Sequence, residues 1–286
     1  MKVAIVLPAA LRSIPKGTFF TFIYSLMYLL NRMDDLPFKV DKVELFAPDQ
    51  FPTDATRNVA AASAIEKGFD TTLWLDMDQT FPNNALFRLL NNSYPIISGM
   101  YYLKALHTFP IVFKRVADDT DFTWFKPILE YPRDDYFYAD MIGMGCVKID
   151  TKVFKAIADT YAKDELIEFF KYGINPIRYK GTDGEQVGVD TRDPERIFAE
   201  KLRSKYLIRD VSEDVYFWKQ VAEKTDFKIV VDPKIQCGHV GDFEYTQGFN
   251  DALYSSKMEQ LKKTDPKNYE RVLGMICRAE KISSAS

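Results

Sequence analysis

Hydrophobic and polar positions along the first hundred residues predict strands that alternate with helices. Short apolar, β-branched runs occur in VAIVLPA, KVELFAP and TTLWLDMD, and segments with helical periodicity follow them in TFFTFIYSLMYLLNRM, ATRNVAAASAIEKG and NNALFRLLNN. This alternation is typical of right-handed βαβ crossovers and a mostly parallel sheet. We therefore expect an α/β fold that binds ligands at the carboxyl ends of its strands.

The pattern beyond Gly99 is more varied. Strand-rich aromatic segments reach Asp150, and a helix is predicted from about Thr151 to Tyr172. A polar stretch rich in glycine, Gly173 to Asp210, predicts a long loop with a short helix inside it. A helix in DVYFWKQVAEKT and a strand in FKIVVDP then lead to CGHVG.

Length and pattern together predict the domain organisation. A chain of 286 residues can bury one large α/β core, so we expect a single elaborated domain over residues 1–248. Residues 1–100 would form its nucleotide-binding half and 101–248 its sugar and acceptor half, with the loop at 173–210. Residues 249–286 predict a C-terminal helical extension.

Charge and cysteine content narrow the classes of partner. The formal net charge is -3, from 38 basic and 41 acidic residues that are well mixed, so bulk charge does not favour nucleic acid or an anionic membrane. The three cysteines are widely spaced and lack a CxxC pair, so the sequence suggests neither a disulfide framework nor a cysteine zinc site. A reducing compartment fits this usage.

Neither a secretory signal nor a membrane span is predicted. The N-terminus lacks a basic region followed by an apolar stretch and a cleavage site. The most apolar segment, Phe19 to Leu30, is too short for a span, which needs roughly 20 residues, and instead predicts a buried helix. We therefore expect a cytoplasmic location.

Paired carboxylates in LWLDMDQTFP are the first candidate for chemistry. If the strand continues through Asp76 and Asp78, both side chains point the same way at the sheet edge. Oxygen ligands of this kind suit Mg²⁺ or Mn²⁺, which commonly bridge a carboxylate to substrate phosphates. A bare DxD match is equally compatible with a solvated turn.

Four ordered blocks carry a resemblance to a known family. They are TRNVAAASAIEKGFDTTLWLDMDQTFPNNALFRLL, PIISGMYYLK, MIGMGCVKIDTKVFKAI, and SEDVYFWKQVAEKTDFKIVVDP with CGHVG. In this order they resemble family 2 and related GT-A glycosyltransferases over about residues 2–241, apart from 173–210. The resemblance implies a GT-A, Rossmann-like sheet and a hexosyltransferase-like activity.

The resemblance also implies roles at the metal. Asp78 matches a direct ligand of Mn²⁺ or Mg²⁺, Asp76 a carboxylate shared between metal and sugar or ribose, and Met77 the residue between them. His239, in CGHVG, matches the late histidine ligand of many such enzymes. Its simpler interpretation is a hydrogen-bonded histidine in a strand-end turn.

The catalytic base is implied by the SED segment. Asp214 aligns with the carboxylate that serves as general base in inverting members, with Glu213 beside it, and a base is needed to remove the proton of an acceptor hydroxyl. Ser212, Glu213 and Asp214 would equally suit a helix N-terminus, as a cap and as dipole partners.

Further residues are expected around the nucleotide sugar. Arg57 matches a basic residue near the diphosphate, with a surface salt bridge as its alternative, and Asp49 could accept hydrogen bonds from the base. Pro8, Ala9 and Arg12 would line the nucleoside. Gly143 and Gly145 would let the backbone approach the sugar closely. Tyr101, Tyr102 and Trp124 could stack on sugar faces.

The sequence therefore predicts a metal-dependent glycosyltransferase that moves a sugar from a UDP- or GDP-linked donor to a hydroxyl acceptor, whether glycan, small molecule or glycoconjugate. Donor, acceptor, stereochemistry and oligomeric state stay open.

LWLDMDQTF also resembles motif I of haloacid-dehalogenase-type phosphatases, with Asp76 as nucleophile and Asp78 as acid/base. Two strand–helix units precede it here, however, and Gly241-Asp242 lacks a second aspartate. A non-catalytic GT-A-fold binding protein is the third possibility.

Overall fold

A computed structural model describes residues 1–8, 14–48, 53–104, 109–117, 123–172, 212–240 and 244–245, with positions 259, 262 and 263. Several predictions lie outside these residues. They concern the loop at 173–210, the C-terminal extension apart from those three positions, and the site residues Ala9, Arg12 and Asp49.

The described residues form thirteen strands and five α-helices. The strands are β1 (Lys2–Val6), β2 (Lys42–Phe46), β3 (Thr71–Leu75), β4 (Gln79–Thr80), β5 (Ile96–Met100), β6 (Val112–Ala117), β7 (Thr123–Pro127), β8 (Phe137–Ala139), β9 (Met141–Ile142), β10 (Cys146–Asp150), β11 (Ile229–Gln236), β12 (Gly238–Val240) and β13 (Glu244–Tyr245). The helices are α1 (Lys16–Asn31), α2 (Thr53–Glu66), α3 (Ala85–Leu90), α4 (Thr151–Ala158) and α5 (Glu213–Lys224), with a 3₁₀ turn at Met33–Asp35.

Seven strands build the central sheet in the order β2-β1-β3-β10-β5-β11-β8. Strands β2, β1 and β3 are parallel, β10 is antiparallel to both β3 and β5, β11 is parallel to β5, and β8 is antiparallel to β11. Only β10 and β8 therefore run against the other five. The predicted α/β class with a mostly parallel sheet is confirmed.

Helices cover both faces of the sheet, and β3 shows how. All five of its residues are buried, as expected for a central strand. Leu73 and Leu75 pack with residues of α1 and α3 on one face, whereas Trp74 packs with residues of α2, α4 and α5 on the other. Because successive side chains of a strand alternate in direction, one continuous apolar run supplies both halves of the core.

Helix α1 is less buried than was predicted. Phe22 and Leu29 are buried, but Phe19, Tyr24 and Met27 are about half exposed. The helix lies on the sheet along one stripe, so its uniform apolar composition leaves the other face uncovered. Among the residues described, no helix has both the length and the apolar character needed to cross a membrane.

Helix α4 ends at Ala158, so the predicted helix to Tyr172 is wrong in its second half. The Asn58 side chain accepts hydrogen bonds from the backbone amides of Phe169 (2.8 Å) and Phe170 (3.1 Å) and donates to the Phe170 carbonyl (2.6 Å). Gln220 donates to the Phe169 carbonyl (2.9 Å). Side chains of α2 and α5 thus satisfy backbone groups that a longer helix would pair internally, and both phenylalanines are buried in the core.

A small second sheet connects distant parts of the chain at the carboxyl edge of β3. Strand β12 pairs antiparallel with β4, which places His239 opposite Gln79. The backbone amide of Val240 also donates to the Asp78 carbonyl at 2.7 Å. This ladder holds the CGHVG segment against the DxD turn.

Candidate active site

Four elements meet at this edge of the central sheet. Strands β3 and β5 end there, antiparallel β10 begins there, and β12 crosses beside them. The N-terminus of α5 reaches the same edge, since Glu213 and Asp214 bind Arg57 of α2, which binds Asp76. The topology therefore collects carboxylates from separate parts of the chain, as expected for the carboxyl ends of strands in an α/β sheet.

Asp76 and Asp78 lie in a turn rather than on a continuing strand. Strand β3 ends at Leu75, the Asp76 amide donates to the Gly145 carbonyl (3.0 Å), and the Gln79 amide donates to the Asp76 carbonyl (3.3 Å). The predicted strand geometry for the two carboxylates is therefore wrong. In the turn, Asp76 pairs with Arg57 and Asp78 pairs with Lys104. Both side chains are partly buried, 26% and 31% exposed, so this is not a solvated turn.

Arg57 joins three carboxylates at the centre of the site. Arg57 is only 3% exposed. One terminal nitrogen of its guanidinium donates to Glu213 (2.7 Å) and Asp214 (2.9 Å), and the other donates to Asp76 (3.1 Å). Burial disfavours the charge, yet these carboxylates raise the pKa of Arg57, so it stays protonated. Burial also raises the pKa of Asp76, although Arg57 opposes this, and the charge of Asp78 raises it further.

Arg57 holds three carboxylates in place, and the diphosphate contact predicted for it stays a prediction. Its two terminal nitrogens are occupied by carboxylates, and its Nε is buried with no hydrogen-bond partner. The alternative anticipated from sequence was a surface salt bridge. The observed pair with Glu213 is buried, and the pairs with Asp76 and Asp214 are partly buried. Loss of one partner of a buried pair costs far more than at a surface.

Glu213 and Asp214 occupy the first turn of α5, where the helix dipole favours carboxylates. Ser212 is the N-cap residue but makes no side-chain capping bond, and both carboxylates bind Arg57. Glu213 is 5% exposed, and burial raises its pKa to about 7, since the lowering by Arg57 is partly offset by the charge of Asp214. Asp214 is more accessible, with 24% of its side chain exposed.

Asp78 has two nitrogen neighbours. The Lys104 ammonium forms an ion pair with Asp78 Oδ2, and His239 Nε2 lies 3.6 Å from the same oxygen. Burial opposes the charge, but His239 and Lys104 together lower the pKa of Asp78 to about 2. Asp78 is therefore a carboxylate at every physiological pH.

The hydrogen bond of His239 fixes which of its nitrogens faces Asp78. His239 Nδ1 lies 2.8 Å from the Tyr102 carbonyl oxygen, which can only accept, so Nδ1 carries the proton. Nε2 is then the nitrogen that faces Asp78, and in a neutral ring its lone pair would be available to a metal ion, the arrangement typical of a metal-ligating histidine. The ring also packs edge-to-face on Tyr101 at 5.4 Å.

The donor set fits a divalent cation in part. Two ligand atoms that share one cation, each at about 2.1 Å, would be separated much as Asp78 Oδ2 and His239 Nε2 are. Within the described ranges, however, no three His, Cys, Asp or Glu side chains form a preformed cation cluster. Asp76 is bound by Arg57, and the position beside Asp78 is taken by the Lys104 ammonium.

The two glycines of the MIGMG segment serve packing inside the protein. A Cβ on Gly143 would lie 1.8 Å from the Tyr101 hydroxyl oxygen, and one on Gly145 would lie 1.8 Å from Gln79 Nε2. Tyr101 accepts a hydrogen bond from the Gly145 amide (3.1 Å), which fixes this contact. The space that was expected to admit a sugar is filled by protein side chains, and contact of these glycines with a sugar stays a prediction.

Other predicted residues are buried. The Met77 side chain packs in the core beside β3, so only its backbone could meet a nucleotide. Pro8 is buried at the end of β1. Tyr101 and Tyr102 are 4% and 1% exposed, so neither ring presents a stacking face. Sequence reasoning missed Lys104, although it ends the PIISGMYYLK block.

Replacing Gly145 with alanine is expected to destabilise the fold by about 1–3 kcal/mol, because the new Cβ overlaps the buried Gln79 amide. Urea unfolding measures the change. Gln79→Ala removes the overlapping group, so in that background Gly145→Ala should cost much less. Gly17→Ala is the control, since its Cβ meets Thr80 at an ordinary 3.6 Å. Equal stability of Gly145→Ala and wild type would contradict this packing.

Comparisons with known proteins leave the family open. No family model matches the chain, and no curated protein matches its sequence. Among solved structures, the A197 protein from STIV is 14% identical, with 85% of this chain and 87% of that chain covered and a TM-score of 0.42. GalNAc-T7 in complex with UDP, GalNAc and Mn²⁺ is 10% identical, with a TM-score of 0.44. That match covers 87% of this chain but only 45% of GalNAc-T7.

Proposed function

We propose that the protein is a metal-dependent glycosyltransferase that uses a nucleotide-diphosphate sugar as donor and a hydroxyl group as acceptor. The observation that supports it best is the pairing of Asp78 with the Nε2 side of His239 at the carboxyl edge of the sheet. A second carboxylate system lies beside this pair, centred on Arg57.

Charge at the site supports a divalent cation. Asp76, Asp78, Glu213 and Asp214 are four carboxylates, whereas Arg57 and Lys104 are the two cationic partners bound to them. When all are ionised, the group carries an excess of two negative charges. An excess of this size in a partly buried site favours binding of a divalent cation, or protonation of a carboxylate such as Glu213.

Asp78 and His239 would hold Mn²⁺ or Mg²⁺, with Asp76 close by. The bound cation would neutralise the departing diphosphate, so no side chain needs to protonate the leaving group. Arg57 favours the ionised form of Asp76 and fixes its position, because a guanidinium held by three carboxylates has little freedom to move.

Asp214 is the best candidate for the base that accepts the acceptor's proton. It is more exposed than Glu213, and it contacts Arg57, which also binds Asp76 in the DxD turn. This role belongs to an inverting reaction. In a retaining reaction Asp214 would instead position substrate.

Calorimetric titration of UDP and of GDP, each with Mn²⁺ and with EDTA, tests the proposal. Binding of one nucleotide that requires Mn²⁺ supports it and identifies the base of the donor. Release of phosphate from a generic phosphomonoester, with neither nucleotide bound, would instead favour the phosphatase. If both assays are negative, the donor is neither UDP- nor GDP-linked, and a non-catalytic binding protein or a different nucleotide is favoured.

Asp214→Asn is expected to lower kcat for transfer by about 10²–10⁴, because it removes a general base while preserving the shape of the side chain. Mn²⁺-dependent nucleotide binding should change little, since Asp214 lies on the Arg57 side of the site. Steady-state kinetics with the active donor, together with calorimetry, separate the two effects. A variant with full kcat would remove Asp214 from the reaction.

A further inference from the structure

Lys104 occupies the position beside Asp78 where the proposed metal ion would bind. Its ammonium pairs with Asp78 Oδ2, the oxygen that also faces His239 Nε2 at 3.6 Å. The residue follows β5 by four positions, at the same edge of the sheet as the DxD turn. Lys104 and a metal ion shared by Asp78 and His239 would therefore compete for one carboxylate oxygen.

The contact between Lys104 and Asp78 is one that can open. Each side chain is 31% exposed, in contrast to Arg57, whose side chain is 4% exposed. A lysine ammonium is a point charge on a flexible stem, so it can change partners without displacing backbone. Asp78 itself is held in place through its backbone, whose carbonyl accepts from Val240 at 2.7 Å.

We infer that Lys104 exchanges its partner during the binding cycle: it neutralises Asp78 in the free protein, and leaves it for the donor diphosphate when a divalent cation binds. This inference rests on the proposed function, since it needs a cation at Asp78 and an anionic donor. Without a metal, the Lys104 ammonium neutralises Asp78, which would otherwise carry an unpaired negative charge beside Asp76. With a metal, the displaced ammonium lies next to the phosphates that the metal attracts.

The exchange predicts opposite effects on two ligands. Removal of the ammonium in Lys104→Met should raise the affinity for Mn²⁺ alone by about tenfold or more, because the ion no longer has to displace a like charge from a partly buried carboxylate. The same variant at saturating Mn²⁺ should bind UDP or GDP about tenfold more weakly, because a charge-assisted contact to phosphate is lost. A lysine that only stabilised the fold would not shift the two affinities in opposite directions.

The experiment is calorimetry of Mn²⁺ alone, then of UDP and GDP at saturating Mn²⁺, on wild type and three variants. Lys104→Arg keeps a cation and should retain Mn²⁺ affinity close to that of wild type. Lys114→Met removes an exposed ammonium that pairs with Asp140 (3.6 Å), so it matches the charge change away from the site and should leave both affinities unchanged. Thermal melting confirms that each variant is folded.

The outcomes separate this inference from the proposed function. Tighter Mn²⁺ together with weaker nucleotide in Lys104→Met supports the exchange. If Lys104→Met binds Mn²⁺ no more tightly than wild type, or binds the nucleotide equally well, the exchange is overturned. In that case the glycosyltransferase proposal still stands if nucleotide binding by the wild type depends on Mn²⁺. If no protein in the set, Lys104→Met included, binds Mn²⁺, both the metal site and the exchange are wrong.

Discussion

Asp78→Asn is expected to abolish the Mn²⁺-dependent part of nucleotide binding. Asparagine keeps the size of the side chain but removes the charge that His239 and Lys104 both face. Loss of even an outer partner of a metal ligand costs about 10- to 100-fold in affinity, so loss of a direct ligand should cost about 100-fold or more. Titration of the nucleotide with Mn²⁺ and with EDTA measures the difference directly.

The fold should survive this substitution. The Lys104 ammonium is partly exposed and can be hydrated when its partner is neutral, and the backbone contacts of the turn are untouched. Asp134→Asn is the matched control, because its side chain is 87% exposed and its nearest ion pair, to Lys234, spans 3.7 Å. Nucleotide binding by Asp78→Asn that still depends on Mn²⁺ at wild-type strength would show that the cation lies elsewhere.

Arg57→Met is expected to destabilise the protein by about 3–5 kcal/mol near neutral pH. It leaves Asp76, Glu213 and Asp214 without their shared cation, and removal of one partner of a buried ion pair leaves an uncompensated charge. Urea unfolding measured at several pH values tests both the size of the effect and its cause.

The pH dependence distinguishes lost charge pairing from lost packing. Burial already holds the pKa values of Asp76 and Glu213 above their usual values, and without Arg57, which lowers both, they rise further, so the folded state of the variant binds more protons than the unfolded state. The free energy of unfolding of the variant then falls as pH rises from about 4 towards neutrality. The difference from wild type should therefore be smaller near pH 4 than near pH 8.

Two further variants sharpen this result. Glu213→Gln in the Arg57→Met background removes the most deeply buried of the carboxylates and should recover part of the lost stability near neutral pH. Arg32→Met removes an arginine whose ion pair with Asp35 is about half exposed, so its urea midpoint should match that of wild type. A loss in Arg57→Met that is the same at every pH would point to packing instead of charge.

Periodicity in the sequence was enough to predict the architecture. Apolar runs such as TTLWL, bounded by polar turns and separated by helical segments, predict buried parallel strands, and β3 is buried at every position. The same pattern places Asp76 and Asp78 at a strand end. Ser212 to Asp214 likewise lie where a helix begins.

What the sequence determined, then, is the order of strands and helices and the residue types at their ends, because both follow from local periodicity. The tertiary structure alone decided which of these ends meet and what each side chain binds. Asn58 binds the backbone of Phe169 and Phe170, Arg57 binds three carboxylates, and Lys104 reaches Asp78. Such partners are distant in the chain, so their choice depends on three-dimensional packing and on the need to satisfy buried charges and backbone groups.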